Sequence, residues 1–205
     1  MKTIAKVAVC AVLFFGLCAG SAAAQTAADD ARSVVENKIN IVMSTLDQAN
    51  KDGLTEAQKV KKLEGMIISV FDMTEMSKRA LGANYNKFSD VQKKEFEELF
   101  VEMLEDIYLG NIVTAYKDQK VNYGKTVVLK ENEAVEIQTE IVFSDGKKTP
   151  IFYRLSNKSG QWLGYDVIIE GISFIKNYRD QFRDILSKSS PEELLDQMRR
   201  KNAEA

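Results

Sequence analysis

The chain has 205 residues, with 28 basic and 30 acidic side chains, a net charge of −2, two cysteines and no histidine. This length suits one domain with a full hydrophobic core, and the weakly acidic balance argues against a nucleic-acid footprint. Without histidine, Ser-His-Asp and Cys-His catalysis and imidazole zinc sites are excluded, so any chemistry would rest on carboxylates, lysines or tyrosines.

Lys2 and Lys6 precede an apolar run from Val7 to Leu17, and small residues ending Ala22-Ala23-Ala24 follow. That pattern predicts a secretory signal peptide over residues 1–24 and a single domain over residues 25–205. The apolar run is shorter than the roughly 18 residues a transmembrane helix needs, and no later stretch reaches that length. Cys10 and Cys18 both fall within the leader, and the bulky Leu17 before Cys18 argues against a lipid-modified anchor. The mature chain would then carry no disulfide and no thiolate metal site. Removing Lys2 and Lys6 leaves 26 basic against 30 acidic residues, so the net charge moves from −2 to −4.

From Ala31, Val34, Val35, Ile39, Val42 and Leu46 recur at helical spacing until Lys51-Asp52-Gly53 ends the pattern. Thr55 and Gln58 form a capping box for a second helix through Val60, Leu63, Ile67 and Val70. A short third helix is predicted over 72–81, stopped by Gly82. Ser89 and Gln92 make another capping box, opening what the pattern predicts to be the longest helix. Its stripe is Phe96, Leu99, Phe100, Met103, Leu104, Ile107 and Tyr108. The opposite face carries Glu95, Glu98, Glu102, Glu105 and Asp106, which reads as a solvated surface rather than an acid/base pair.

At Val121 the period changes to two, with turn signals at Glu131-Asn132, Asp145-Gly146 and Lys158-Ser159-Gly160, the mark of antiparallel hairpins. Over 134–143, Val135, Ile137, Ile141 and Phe143 share one face and Glu136, Gln138 and Glu140 the other. Strands over 149–156 and 161–169 follow. After Gly171 the helical period returns through Ile172, Ile175, Tyr178, Phe182 and Ile185, and Ser190-Pro191-Glu192-Glu193 starts a last helix. This order predicts an α+β fold: N-terminal helices and a C-terminal helix packed on one face of a twisted antiparallel sheet of about four strands.

Trp162, Tyr165-Asp166-Val167, Ile169-Glu170-Gly171-Ile172-Ser173, Asn177-Tyr178-Arg179 and Gln181-Phe182 resemble the C-terminal signature of the MlaC family, also called the toluene-tolerance family. Phe71-Asp72, Met76-Ser77 and Leu81-Gly82, followed by Gln92, Phe96, Phe100, Leu104 and Tyr108, are similar to that family's N-terminal motif in order and spacing. Two positions depart from it: Met73, where an aromatic is usual, and Tyr85, where tryptophan is expected.

The resemblance implies a monomeric periplasmic carrier rather than an enzyme. Its cargo would be a diacyl phospholipid held between sheet and helices, with no cofactor and no metal. It also implies exchange with an outer-membrane MlaA-type lipoprotein with its porin and with an inner-membrane MlaD-type component of an ABC transporter, in maintenance of lipid asymmetry. Side-chain alternation supplies the candidate lipid-binding residues. These are Phe100, Leu104, Tyr108 and Phe174 on helices, and Val135, Ile137, Ile141, Phe143, Ile151, Tyr153, Tyr165, Val167 and Ile169 on the sheet. The same composition would line an ordinary core. Asp72, Asp166, Glu170 and Arg179, in the signature blocks, read as caps, turns and an ion pair.

Other readings stand beside this one. A hopanoid or another apolar molecule is an alternative cargo. A pocket isomerase would use Asp166 as general base with Tyr153 or Tyr165 as hydrogen-bond donor. An interaction module would keep its interior filled by its own side chains. Ser173-Phe174-Ile175-Lys176 matches an S-x-x-K string, but the S-D-N and K-T-G boxes are missing. Gly124-Lys125-Thr126 ends like a phosphate loop, but Gln119 stands where the first glycine belongs.

Overall fold

The structure is a computed structural model that describes residues 19–117, 119–158 and 160–204, with side chains from residue 26 onward. Most of the predicted leader, including Cys10 and Cys18, lies outside the described residues. Helix α1 (Ala19–Lys51) begins before Ala24 and continues through the predicted cleavage point. Its 33 residues make it longer than the helix expected to be longest, because it starts well upstream of Ala31. No helix among the described residues is long and apolar enough to cross a membrane.

Helices α2 (Glu56–Leu63), α3 (Met73–Leu81) and α4 (Asp90–Ala115) follow, then strands β1 (Lys120–Lys130), β2 (Ala134–Val142), β3 (Lys148–Lys158), β4 (Gln161–Ile169) and β5 (Ile172–Ser173). Helices α5 (Phe174–Leu186) and α6 (Pro191–Ala203) close the chain. The boundaries have local causes. Thr55 with Gln58, Ser89 with Gln92, and Ser190 with Glu193 each form a complete capping box, so the first free N–H groups of α2, α4 and α6 are satisfied. Asp72 caps α3 through the Glu75 N–H.

The strands form one antiparallel sheet in the order β1-β2-β3-β4-β5, a simple meander. The expected count of four becomes five through β5, two residues that pair with Ile168 and Ile169. Glu170 and Gly171, both at positive φ (51° and 83°), make the two-residue turn, a conformation whose twist matches a right-handed hairpin.

Three separate apolar cores result. The first joins α3, α4, α5 and α6 around Phe96, Phe100, Phe182 and Leu195. The second packs Ala28, Ala31 and Val35 of α1 on Val135, Ile137, Leu155 and Trp162 of the sheet. The third ties the end of α1 to α2 and α4 through Leu46, Leu63, Leu109 and Val113. On the acidic face of α4, Glu98, Glu102 and Asp106 are exposed as expected, yet Glu95 pairs with Arg199 at 2.7 Å, Glu102 accepts from Asn202 at 2.9 Å and Glu105 accepts from the Gly65 N–H at 3.2 Å. Glu95, Glu102 and Glu105 fasten neighbouring elements to α4.

Candidate apolar ligand site

Strand register assigns the two faces of the sheet. Val135 stands opposite Leu155, Ile137 opposite Tyr153, Thr139 opposite Ile151, and Ile141 opposite Thr149. Ile151 in turn faces Ile169, and Tyr153 faces Val167. Cross-strand partners share a face, so these residues form one largely apolar surface. The other face carries Glu136, Arg154 and Asp166 in a row.

Burial is graded along the apolar surface. Val135 and Ile137 are 2% and 1% exposed beneath α1, whereas Ile141, Ile151, Tyr153 and Val167 are half-buried and Ile169 is 38% exposed. Helix α1 reaches the surface with alanines at 28 and 31, whose short side chains let it lie close to the sheet. Arg32 anchors it from the side by donating to the Gly124 carbonyl at 2.7 Å, with its guanidinium 5.8 Å from the Tyr123 ring centre.

Four of the sheet candidates, Ile141, Ile151, Val167 and Ile169, therefore meet on the open part of one face, with Tyr153 beside them. Phe143 lies just past the end of β2 and is half-buried. Val135 and Ile137 share that face but are covered by α1. Tyr108 and Phe174 meet each other at 4.9 Å between ring centres and lie partly buried at the margin of the helical core. Phe100 and Leu104 are 0% and 7% exposed inside that core, where Phe100 packs on Phe96, Tyr178 and Phe182.

Tyr165 departs from the alternation. Arg154 pairs with Asp166 but Leu155 pairs with Gly164, so Tyr165 is the extra residue of a β-bulge and joins the helical core instead of the row of Val167 and Ile169. Arg79 lies over its ring at 4.0 Å. Gly164 is required at this crowded point, because a Cβ there would stand 2.7 Å from the Phe71 ring. Leu155 and Trp162 belong to the apolar face and were missed; Leu155 continues the odd-numbered alternation of Ile151 and Tyr153, whereas Trp162 reaches that face only through the bulge.

The polar signature residues are bound to structural partners. Asp166, 4% exposed, accepts from the Ile175 N–H at 3.0 Å and the Ser173 hydroxyl at 2.7 Å, with Arg154 at 3.5 Å. Of the two donors an isomerase could use, Tyr153 points to the opposite face from Asp166, whereas Tyr165 lines the same cleft as Asp166, whose two oxygens are already engaged. Asp72 receives Lys158 at 2.7 Å, and Glu75 receives it at 3.1 Å. Burial opposes ionisation of both carboxyls, but Lys158 and its hydrogen bonds outweigh it and hold both below the ordinary carboxylate range. Glu170 serves the β4–β5 turn, and the stem of Arg179 packs over Gly82. Burial pushes the Tyr153 hydroxyl, which bonds to Thr139, up to about 12, and burial also raises Tyr178.

Among the clefts of the described surface, two lie near these elements. One of about 300 Å³ is lined by Thr74, Ser77, Tyr85, Asp90, Lys93, Lys94, Glu97 and Glu98. The other, of about 230 Å³, lies between α3, the polar sheet face and α5. Both are lined mainly by polar and charged residues, and of the candidate lipid-lining residues only Tyr165 borders either. The apolar surface is partly covered by α1 in this conformation, and no His, Cys, Asp and Glu cluster suited to a metal occurs among the described residues.

A helical body beside a meander sheet with one half-open apolar face defines the class of α+β domains that present an apolar surface between two layers. The chain belongs to the MlaC family: the family model described as MlaC protein matches residues 36–200. The chain is 28% identical over 123 residues to the intermembrane phospholipid transport system binding protein MlaC of Haemophilus influenzae, covering 58% of this chain and 57% of that protein. It is 27% identical over 121 residues to the toluene tolerance protein ttg2D of Pseudomonas putida, covering 58% of this chain and 55% of that one. The alignments thus span little more than half the length of these curated relatives. The fold is also that of the phospholipid-binding protein from Ralstonia solanacearum, solved in complex with a phospholipid. That match has a TM-score of 0.74 and 21% identity, covering 85% of this chain and 97% of the other.

Proposed function

We propose that this protein is a periplasmic phospholipid carrier and not an enzyme. It would hold acyl chains against the apolar sheet face and pass lipid between an outer-membrane MlaA-type lipoprotein with its porin and an inner-membrane MlaD-type transporter component. The observation that carries the reading is the unfinished face itself, where Ile141, Ile151, Val167 and Ile169 share one surface without being sealed by helix. Family membership and the printed names of the relatives support it.

The energetics fit a shuttle. Covering two acyl chains at about 0.8 kcal/mol per methylene is worth on the order of 20 kcal/mol, so a naked lipid does not cross water on a useful timescale. A carrier must offer comparable burial for transfer to be nearly balanced. Because the apolar face is partly covered by α1, loading requires that helix or the half-buried side chains to yield.

Native mass spectrometry with lipid extraction, on protein purified from a bacterial periplasm, tests the reading. Diacyl phospholipid with little headgroup preference is the expected cargo, because the proposed burial involves the chains. Extraction of a hopanoid would reassign the cargo, and a clean apo mass under gentle conditions would contradict the carrier reading.

A further inference from the structure

The cleft of about 230 Å³ lies on the side of the sheet away from Tyr153 and Val167, because Arg154 and Asp166 in its wall occupy the opposite face. Four cationic side chains line it: Arg79 from α3, Arg154 from β3, and Lys176 and Arg179 from α5. That concentration is unexpected in a chain of net charge −2.

The counter-charges stand largely outside the cleft. Arg79 is held through Nε by Glu75 at 2.7 Å, Arg154 through Nε by Glu136 at 3.0 Å, and Lys176 by Asp180 at 2.9 Å. None of these three carboxylates is part of the lining. Arg79 spends only Nε on Glu75, while Arg154 spends Nε on Glu136 and turns Nη1 to Asp166 at 3.5 Å; the Nη donors of Arg79 and Nη2 of Arg154 have the fork geometry suited to gripping a second oxyanion. Arg79 is further fixed by lying 4.0 Å from the centre of the Tyr165 ring. The carboxylate within the lining, Asp166, has both oxygens engaged by the Ile175 N–H, the Ser173 hydroxyl and Arg154. The Ile175 and Lys176 N–H groups at the start of α5 are taken by Asp166 and Ser173, so the cleft's affinity for anions comes from side chains.

We propose that this cleft is a binding site for a phosphate-type oxyanion, held by Arg79, Arg154, Lys176 and Arg179. Its volume is below the 300–1,000 Å³ or so typical of drug-sized ligand pockets, which suits a single phosphate group or a small headgroup rather than an acyl chain. The inference goes beyond the carrier reading and stands without it. The phosphate could arrive free in solution or as part of a lipid headgroup.

The test is titration of the full chain with inorganic phosphate at constant ionic strength balanced with chloride, followed by calorimetry and by ³¹P line broadening. Saturable single-site binding is expected, weakened about tenfold or more when Arg79→Gln and Arg179→Gln are combined, since each removes a charge-assisted donor. Both side chains are exposed, so the double variant should stay folded by circular dichroism, with at most a small drop in melting temperature from the lost Glu75 and Tyr165 contacts. Repeating the titration on lipid-loaded and delipidated protein distinguishes the sources. Equal binding to both forms assigns the site to free phosphate, and binding to the delipidated form alone assigns it to a headgroup. Absence of saturable binding, or equal affinity in parent and folded double variant, would overturn the proposal.

Discussion

In the helical body, Phe96 and Phe100 are completely buried and meet Phe182 edge-on at 5.2 and 5.9 Å. On the sheet, side chains of the same chemical kind run from Ile137 at 1% exposure to Ile169 at 38% along one face. The helical core is closed, and its apolar area contributes to folding. The sheet face is closed only where α1 lies on it, leaving apolar area whose burial awaits something else. Apolar composition alone therefore does not distinguish stabilising core from ligand surface; the difference lies in which neighbouring element reaches it.

Substitutions can break this contrast. Among truncations, Phe96→Ala is expected to cost about 3–5 kcal/mol in urea unfolding, because rigid aromatic neighbours cannot collapse into the void. A loss below about 1 kcal/mol would mean that the helical core is as loose as the sheet face. Introducing a carboxylate at the two ends of the face sharpens the comparison. Ile137→Asp should prevent folding, since it buries a charge under α1 without a partner. Val167→Asp should leave a folded protein, judged by circular dichroism, that no longer retains lipid. If Val167→Asp also unfolds, that position is ordinary core.

Smaller effects probe the joint between the layers. Asp72→Ala removes both the α3 cap and a partner of Lys158, and should cost about 1 kcal/mol. Asp72 is held below its ordinary 3.8, so its contribution is fully present above that pH and is lost as acid takes the pH down through the lower folded value. An acid titration of stability that falls less steeply for Asp72→Asn than for the parent would confirm this sign. Tyr153 supplies the opposite case. Its folded value of about 12 lies above the ordinary 10, so the stability from its neutral hydroxyl is present below pH 10 and is lost as pH rises towards 12. Ultraviolet titration should show it ionising later than exposed tyrosines, and Tyr153→Phe should remove that late step.

Much of the fold was legible because local signals and tertiary structure agree. The capping boxes at Thr55, Ser89 and Ser190, the switch to period two at Val121 and the return of helical period after Gly171 each have a local physical cause. The site was harder to read. Alternation placed Val135, Ile137 and Ile141 on one face correctly, but a bulge between Arg154 and Leu155 moved Tyr165 into the helical core and brought Trp162 onto the sheet face. The one local hint is Gly164, a glycine inside a strand pattern, which marks a close approach without fixing the register; the bulge coincides with the packing of Phe71 over Gly164. Burial of Phe100 and Leu104 away from the sheet depends on α5 and α6, elements more than 60 residues away in sequence. Their periodicity identifies an apolar stripe but not its occupant.

The most direct test places a photoreactive benzophenone side chain at Ile151, on the open part of the face, and at Val91, which is 78% exposed on α4. Each protein would be irradiated after purification from the periplasm and weighed intact. A phospholipid adduct at residue 151 with none at residue 91 is the predicted result. No adduct at 151, or equal adducts at both, would contradict the claim that the unsealed half of the sheet receives lipid chains.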